Sequence, residues 1–395
     1  MNTESFPANA IAAVTHPDPY PYYEYLVTHT PLFRDAALGL WVASSAEAVV
    51  AALTNDACRV RPLDEPVPKA LVGSPAADIF GRLIRMNDGG GHCPFNRAVA
   101  DTLASVDTSR IAEHSMQWAK RLHGPGPIAD LSHVTDYAFR LSVHVIGSLL
   151  GVADEKLTQV SEWTGDFVRC VFPASTPEQV EQGKAAAARL FASFREILDS
   201  KRNATPNLLT TLAREAERVG RADRDVIIAN GIGFLSQAYE ATAGLISNTL
   251  LASATRHDVR EQVNANPDLL RDFIFEVLRF DPPTHNTRRF ITDDCMVAGQ
   301  SMKAGDVILV VVAAANRDPA ANPEPNRFEL QRQHRRIFTF GAGVHACPGE
   351  IFATTIAQAG IATLLDTRFD VTRLQSNFTY RTSANTRIPL FTSKG

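Results

Sequence analysis

The chain has 395 residues, with 39 Lys and Arg against 43 Asp and Glu, a formal charge of −4, and 45% hydrophobic residues. This near-average composition excludes a disordered, collagen-like or disulfide-stapled chain. Slight acidity argues against nucleic acid or an anionic membrane surface as a main partner, because both attract a basic footprint.

The Pro-rich opening His16-Pro17-Asp18-Pro19-Tyr20-Pro21 reads as an extended lead into a helix from Tyr22 to His29. The first basic residue is Arg34, so the start has neither the positive region nor the apolar stretch of a signal peptide. Leu38 to Ala43 reads as a short strand, after which Ser44 or Ser45 caps a helix with Ala48, Val49, Ala52 and Leu53 on one face. Helical patterns dominate from Thr108 to His257. Strand signals return at Met296 to Ala298, Val307 to Val312 and Arg387 to Phe391, with a turn at Lys303-Ala304-Gly305-Asp306. The longest aliphatic run, Val307 to Ala315, is about half of the ~20 residues a membrane span needs. No linker chemistry divides the chain, so a single, mainly α domain over 1–395 with a small β-rich region is expected.

The longest helical pattern starts at Asp223, a candidate N-cap, and runs to about Ala254. At ~1.5 Å per residue it extends on the order of 48 Å, enough to cross the domain. It is apolar almost all round, as a central buried helix is. Gln237, Tyr239, Glu240 and Thr242 nevertheless lie in its middle, where unpartnered polar groups cost free energy. Two readings fit: a polar stripe beside a water pocket, or the lining of a reaction cavity.

Cys58, Cys93, Cys170, Cys295 and Cys347 are far apart, odd in number and without a C-x-x-C pair. Neither a zinc site nor a disulfide framework is indicated, and a reducing, cytoplasmic setting is expected. The sharpest local signal is Phe340-Gly341-Ala342-Gly343-Val344-His345-Ala346-Cys347-Pro348-Gly349. Its glycines permit tight turns, and Glu350 to Leu365 reads as a helix directly after it. Cys347 thus precedes a helix N-terminus, where amides and the helix dipole favour a thiolate suited to iron. An inert packed cysteine fits the same residues. Phosphate binding fits poorly, because the P-loop lysine is absent. A cysteine hydrolase would need a base and its orienting partner, and only His345 is near in sequence.

The segment Phe340 to Gly349 resembles the Phe-x-x-Gly-x-His-x-Cys-x-Gly haem loop of the cytochromes P450, specifically the soluble bacterial type. Glu276-Val277-Leu278-Arg279, Ala315-Asn316-Arg317-Asp318-Pro319 and Asn326-Arg327-Phe328 match further family stretches in order and spacing.

This resemblance implies haem b (iron protoporphyrin IX), with Cys347 as the thiolate ligand of the iron. Phe340 would shield the sulfur, and Gly341 would let the loop lie close to the porphyrin. His345, Arg289 and His92 match propionate-binding positions, while Asn96 stands where the family has an Arg. Glu276, Arg279 and Arg327 match a buried structural Glu–Arg–Arg cluster. On the central helix the family pairs an acid with an alcohol to move protons. Here Glu240 keeps the acid, Ala241 replaces the alcohol, and Thr242 lies about 100° further round the helix. The candidate proton-delivery residues are therefore Glu240, Thr242 and Gln237. Variable contact regions of the family map to Phe167, Val171 and Phe172, to Tyr239, to 284–286 including His285, and to 383–385 including Ala384.

The implied activity is insertion of one oxygen atom from O2 into a small organic substrate. Electrons would come from NAD(P)H through a separate ferredoxin reductase and ferredoxin. The basic stretch Arg332, His334, Arg335 and Arg336 would lie on the proximal face and suit an acidic ferredoxin. Oxidative coupling, desaturation, peroxide-driven oxidation and a non-catalytic haem sensor are the alternatives.

Overall fold

The computed structural model describes residues 6–89, 92–200, 206–367 and 369–393, with the backbone alone for His92 and Cys93. The N-terminal part holds α1 (Tyr20–His29), β1 (Leu32–Asp35), β2 (Leu40–Ala43), α2 (Ala46–Thr54) and β3 (Cys58–Arg59). Helices follow: α3 (Pro75–Arg82), α4 (His92–Ala104), α5 (Thr108–His123), α6 (Ser132–Leu149), α7 (Leu157–Cys170), α8 (Pro177–Asp199), α9 (Leu208–Arg218), α10 (Arg224–Thr255), α11 (His257–Ala265) and α12 (Leu270–Phe280). The remainder comprises β4 (Thr287–Ile291), β5 (Cys295–Val297), β6 (Gln300–Met302), β7 (Val307–Val310), α13 (Val312–Ala315), α14 (Glu350–Asp366), β8 (Phe378–Tyr380) and β9 (Pro389–Phe391).

One five-stranded sheet has the order β1-β2-β7-β4-β3, with β2 and β7 parallel and the other neighbours antiparallel. Strand alternation places successive side chains on opposite faces. Val42 and Leu309 pack with Tyr23 and Leu26 of α1, while Ala43, Ile308 and Val310 pack with Val49, Ala52 and Leu53 of α2. Both faces of the sheet are therefore covered. Ser45 caps α2 by accepting from Ala48 N at 3.2 Å, which selects between the two serines the sequence offered. Strand β7 ends two residues before the expected Val312, because the chain bends there into α13.

Helix α10 is capped by Asp223, whose Oδ1 accepts from Asp225 N and Val226 N at 2.9 and 3.1 Å. It packs against α6, α14 and α12, and is buried at both 227–233 and 242–251. Between those stretches Phe234, Gln237, Ala238 and Ala241 carry accessible surface. Spacings of three and four put these residues on one side, so mid-helix α10 borders an open space. Further along, Gly244 lets the helix touch the Pro282-Pro283 bend, where a Cβ would come within 2.7 Å of Pro283 Cβ.

A buried polar network ties the chain's start to its end. The Arg387 guanidinium donates to Asp281 Oδ1 at 3.1 Å and to the carbonyls of Val14, His16 and Pro17. Tyr20 donates to the same carboxylate, and His285 Nδ1 meets the Tyr23 hydroxyl at 2.9 Å. Burial holds the His285 ring down to about 4, outweighing the neighbouring Asp281. Asp281, pushed up by burial, is drawn down to about 2 by Arg387 and His285.

Both groups have depressed folded-state values, so their stabilisation is present at neutral pH and lost on acidification. The His285 share declines between about pH 6.5, its unfolded value, and about 4, and Asp281 follows below that. A shift of this size corresponds to about 3 kcal/mol when fully lost. Denaturant midpoints measured across this range are expected to fall with acid. The slope should flatten in His285→Gln, and equal slopes would refute the assignment.

Candidate active site

The cysteine segment forms a closed turn. Cys347 N donates to Phe340 O at 2.8 Å, Ala346 N to Gly343 O at 3.1 Å and Gly341 N to Phe338 O at 2.8 Å. Gly341 and Gly343 have φ of +74° and +69°, the left-handed region that glycine enters without a Cβ penalty. At Gly343 a Cβ would also sit 3.2 Å from Leu53 O, so the turn lies against the end of α2. Phe340, Gly341 and Cys347 border a cavity of about 380 Å³ with Phe275, Ile337 and Arg335.

The amides do less for the sulfur than the helix start suggests. Gly349 N donates to Cys347 Sγ at 3.4 Å, yet burial is the larger influence and raises the thiol above its ordinary value. The loop alone does not create a thiolate.

Cys347 carries accessible surface, although burial dominates its proton affinity. Arg85 shows the same combination: its side chain is accessible, burial depresses its guanidinium, and it feels both Cys347 and Glu240. Cys347 borders the cavity it shares with Phe275 and Arg335, and Arg85 carries accessible surface. Gly343, Val344, Ala346 and Pro348 are accessible beside Cys347, and the open stripe of α10 lies in the helix that carries Glu240.

The neighbouring donors fit a carboxylate-bearing macrocycle in this space. Arg289 is 5% exposed and uses Nη1 on Thr287 Oγ1 and Arg288 O, while its buried Nε has no hydrogen-bond partner among the described residues. A buried guanidinium left this way calls for an anion. His345 Nε2 lies 2.9 Å from Asp88 Oδ1, and Asp88 also accepts from Val60 N. Asn96 donates to Val344 O at 3.2 Å, so it braces the cysteine turn. The His92 side chain lies outside the described residues.

Behind the turn, Glu276 and Arg279 are both fully buried and joined bidentately at 2.6 and 3.0 Å. Arg327 does not complete this cluster. Its side chain is 61% exposed and pairs with Glu324, and its backbone carbonyl accepts from Arg279. Arg335 and Arg332 take the place, reaching Glu276 at 3.0 and 3.4 Å. The side chain of Arg327 points to water, whereas the chain after Leu330 folds back over Glu276. This withdraws two of the four expected basic-patch residues from the surface, leaving His334 and Arg336 exposed.

On α10, Glu240 is nearly buried and paired with Arg381, with Thr386 Oγ1 at 3.5 Å. Burial raises Glu240 above the usual carboxylate range despite the opposing Arg381 charge. Gln237 is exposed to the cavity side and bonds Gly233 O of its own helix at 2.9 Å. Thr242 is a correction: it is 0% exposed, and its Oγ1 has no partner among the described residues, because it lies off the open stripe. Tyr239 packs against the Phe139 ring at 5.0 Å and against Gly165.

Two expected substrate contacts are likewise placed elsewhere. Phe167 is 1% exposed and part of the main core, and His285 belongs to the buried Tyr23–Asp281–Arg387 network. Val171 is half-buried, and Ala384 is exposed with its carbonyl accepting from Asn286 Nδ2. Arg381 and Arg85 are the site residues that sequence reasoning missed, while Arg335 was read as a surface residue. Arg381 lies two residues before the pocket stretch 383–385, which was its one available signal.

A family model described as "Cytochrome P450" matches residues 176–378. The chain is 28% identical over 233 residues to the biotin biosynthesis cytochrome P450 of Bacillus subtilis (strain 168), covering 59% of each. It is 31% identical over 262 residues to the vitamin D(3) 25-hydroxylase of Pseudonocardia autotrophica, covering 66% of this chain and 62% of that one. The matched stretch thus spans about three-fifths of those relatives' own lengths. The solved structure of CalO2 superposes with a TM-score of 0.84 at 24% identity, over 99% of this chain and 98% of its own, and so shares the fold. The family match extends over half of the chain and, with the glycine-turned cysteine loop, makes the chain a member of the cytochrome P450 family.

Proposed function

We propose that this chain is a haem-thiolate monooxygenase that inserts one oxygen atom from O2 into a small, secondary-metabolite-like substrate. The observation carrying this reading is that Cys347 sits on a closed, glycine-turned loop bordering a cavity, in a chain that belongs to the cytochrome P450 family. The relative from Pseudonocardia autotrophica is by name a hydroxylase, which agrees with it.

Bound haem would supply the iron at which O2 is activated. Cys347 would ligate that iron as thiolate and Arg289 would take a propionate, whereas the expected propionate partner His345 is paired with Asp88. Phe340, against the turn, would keep water from the sulfur. Glu240, raised by burial against the opposing Arg381 charge, and Gln237, one turn earlier on the open side, would be the proton-delivery residues. Ala241 carries accessible surface, so the place of the family's alcohol is open to water or to a polar group of the substrate. Electrons would arrive from NAD(P)H through ferredoxin reductase and ferredoxin, with exposed Arg336 and His334 as the remaining basic docking residues. No helix among the described residues is long and apolar enough to cross a membrane.

The test is turnover with a surrogate ferredoxin and reductase, using a ligand first found by its shift of the ferric spin state. Product bearing one atom from isotope-labelled O2 supports the reading, and haem binding without product refutes it. The parent should couple NADH consumption to product as well as Ala241→Thr does. Tight coupling in Ala241→Thr alone would exclude proton delivery through water or substrate.

A further inference from the structure

A cleft of about 650 Å³ lies between the start of α1, the C-terminal ends of α10 and α12, and β8. It shares no lining residue with the cavity at Cys347. One wall alternates rings with guanidiniums. Arg317 lies over Tyr20 at 3.9 Å and Phe280 at 3.4 Å, and Arg256 lies over Phe280 and Phe328 at 4.5 Å each. Arg387 is 2% exposed and donates to Asp281 and three carbonyls. Arg317 is 6% exposed and donates to Phe280 O and Asn326 Oδ1. Arg256 differs. It is half-buried, and its guanidinium makes no hydrogen bond or ion pair among the described residues.

The acids around Arg256 leave its donors free. Asp258, Asp281 and Glu276 act on it from beyond ion-pair distance, and the last two are paired with Arg387 and Arg279. Asp18 and Glu24 line the cleft from exposed positions, their carboxylates accepting from Tyr20 N and Asn326 Nδ2. The rings thus hold a guanidinium in place without using its N–H groups, and that planar fork matches a carboxylate bidentately. The exposed acids disfavour a phosphate dianion, so a singly charged carboxylate is the better match. The volume is that of a small-molecule site. We propose that this cleft is a second ligand site for an aromatic carboxylate, its anion bound by Arg256 and its apolar body covered by Phe328, Phe378 and Tyr380. The site is independent of the cavity at Cys347 and of the reaction performed there.

The haem-loaded protein is titrated by calorimetry with 2-naphthoate and 4-biphenylcarboxylate, each against its own primary amide. The acids are expected to bind about tenfold or more tightly than the amides. Arg256→Met should abolish that preference, and Arg256→Lys should keep part of it. The guanidinium hydrogen-bonds no other group, so unfolding midpoints of Arg256→Met without ligand should stay close to the parent's. Ala252→Phe fills the cleft from α10 and should remove acid and amide binding alike. Binding in the cleft should leave the ferric spin state unchanged. Equal binding of acids and amides, no binding by either acid, or a preference surviving Arg256→Met would each overturn the proposal. So would binding that survives Ala252→Phe. A spin-state shift that saturates together with the calorimetric signal would place the acid at the haem and overturn it too.

Discussion

Replacing Cys347 by serine is expected to abolish the thiolate signature of the reduced carbon monoxide complex and to remove turnover entirely. The backbone supports this separation of chemistry from folding. The turn closes through backbone groups, Cys347 N to Phe340 O and Ala346 N to Gly343 O, which serine leaves in place. Its positive-φ positions are glycines 341 and 343, which the substitution does not touch. The hydrogen bond to the sulfur, from Gly349 N at 3.4 Å, is weak because a thiol sulfur is a poor acceptor, so its loss costs stability little. What disappears is a soft donor atom that no other described side chain at the turn can replace. Unfolding midpoints measured without haem should therefore stay close to the parent's. A retained thiolate signature in Cys347→Ser would mean that another sulfur holds the iron.

Glu276→Ala is expected to have the largest effect on stability, about 3–5 kcal/mol by denaturant unfolding, and to cost haem retention as well. Burial alone would raise the Glu276 carboxyl, but the Arg279 hydrogen bonds and the charges of Arg279 and Arg335 hold it below the usual range. It is therefore an anion with no access to water. Removing it strands the fully buried Arg279 guanidinium among carbonyls and frees Arg332 and Arg335. The same carboxylate accepts from Glu329 N at 3.0 Å, so it also pins the irregular segment that leads to the cysteine turn. Downstream, Asn316 accepts from Phe338 N at 2.7 Å and Thr339 bonds Leu278 O, which limits the damage to a loosened loop rather than a lost fold. Glu276→Gln keeps the shape and two of the acceptor contacts, so an intermediate loss is expected. A loss below about 1 kcal/mol in Glu276→Ala would show that the arginines find water or other acceptors, as exposed ion pairs do.

How much was legible in advance depended on the range of the interaction. The cap at Asp223, the span of α10, the turn at Lys303 to Asp306 and the glycine-rich cysteine turn were all readable, because local backbone geometry and helical periodicity depend on neighbouring residues. Glu276 and Arg279 were readable as a pair because three residues of helix put them on one side. The third partner was not. The choice among Arg327, Arg332 and Arg335 depends on how an irregular segment folds back across α12, and the spacing of charges carries no record of that path. Arg332 and Arg335 accordingly read as a surface patch, although their side chains are mostly buried.

By itself, the amino-acid sequence determined the helical frame, the position of the thiol on a tight turn and the acid at mid-helix, since each follows from residues adjacent along the chain. Only the tertiary structure decided which charges meet. It brought Arg381 across 141 positions to Glu240, left the Nε of Arg289 unpartnered, and sealed His285 and Phe167 away from the cavity. Electrostatic pairing and burial are properties of surfaces brought together by packing, so they are decided where the chain closes on itself.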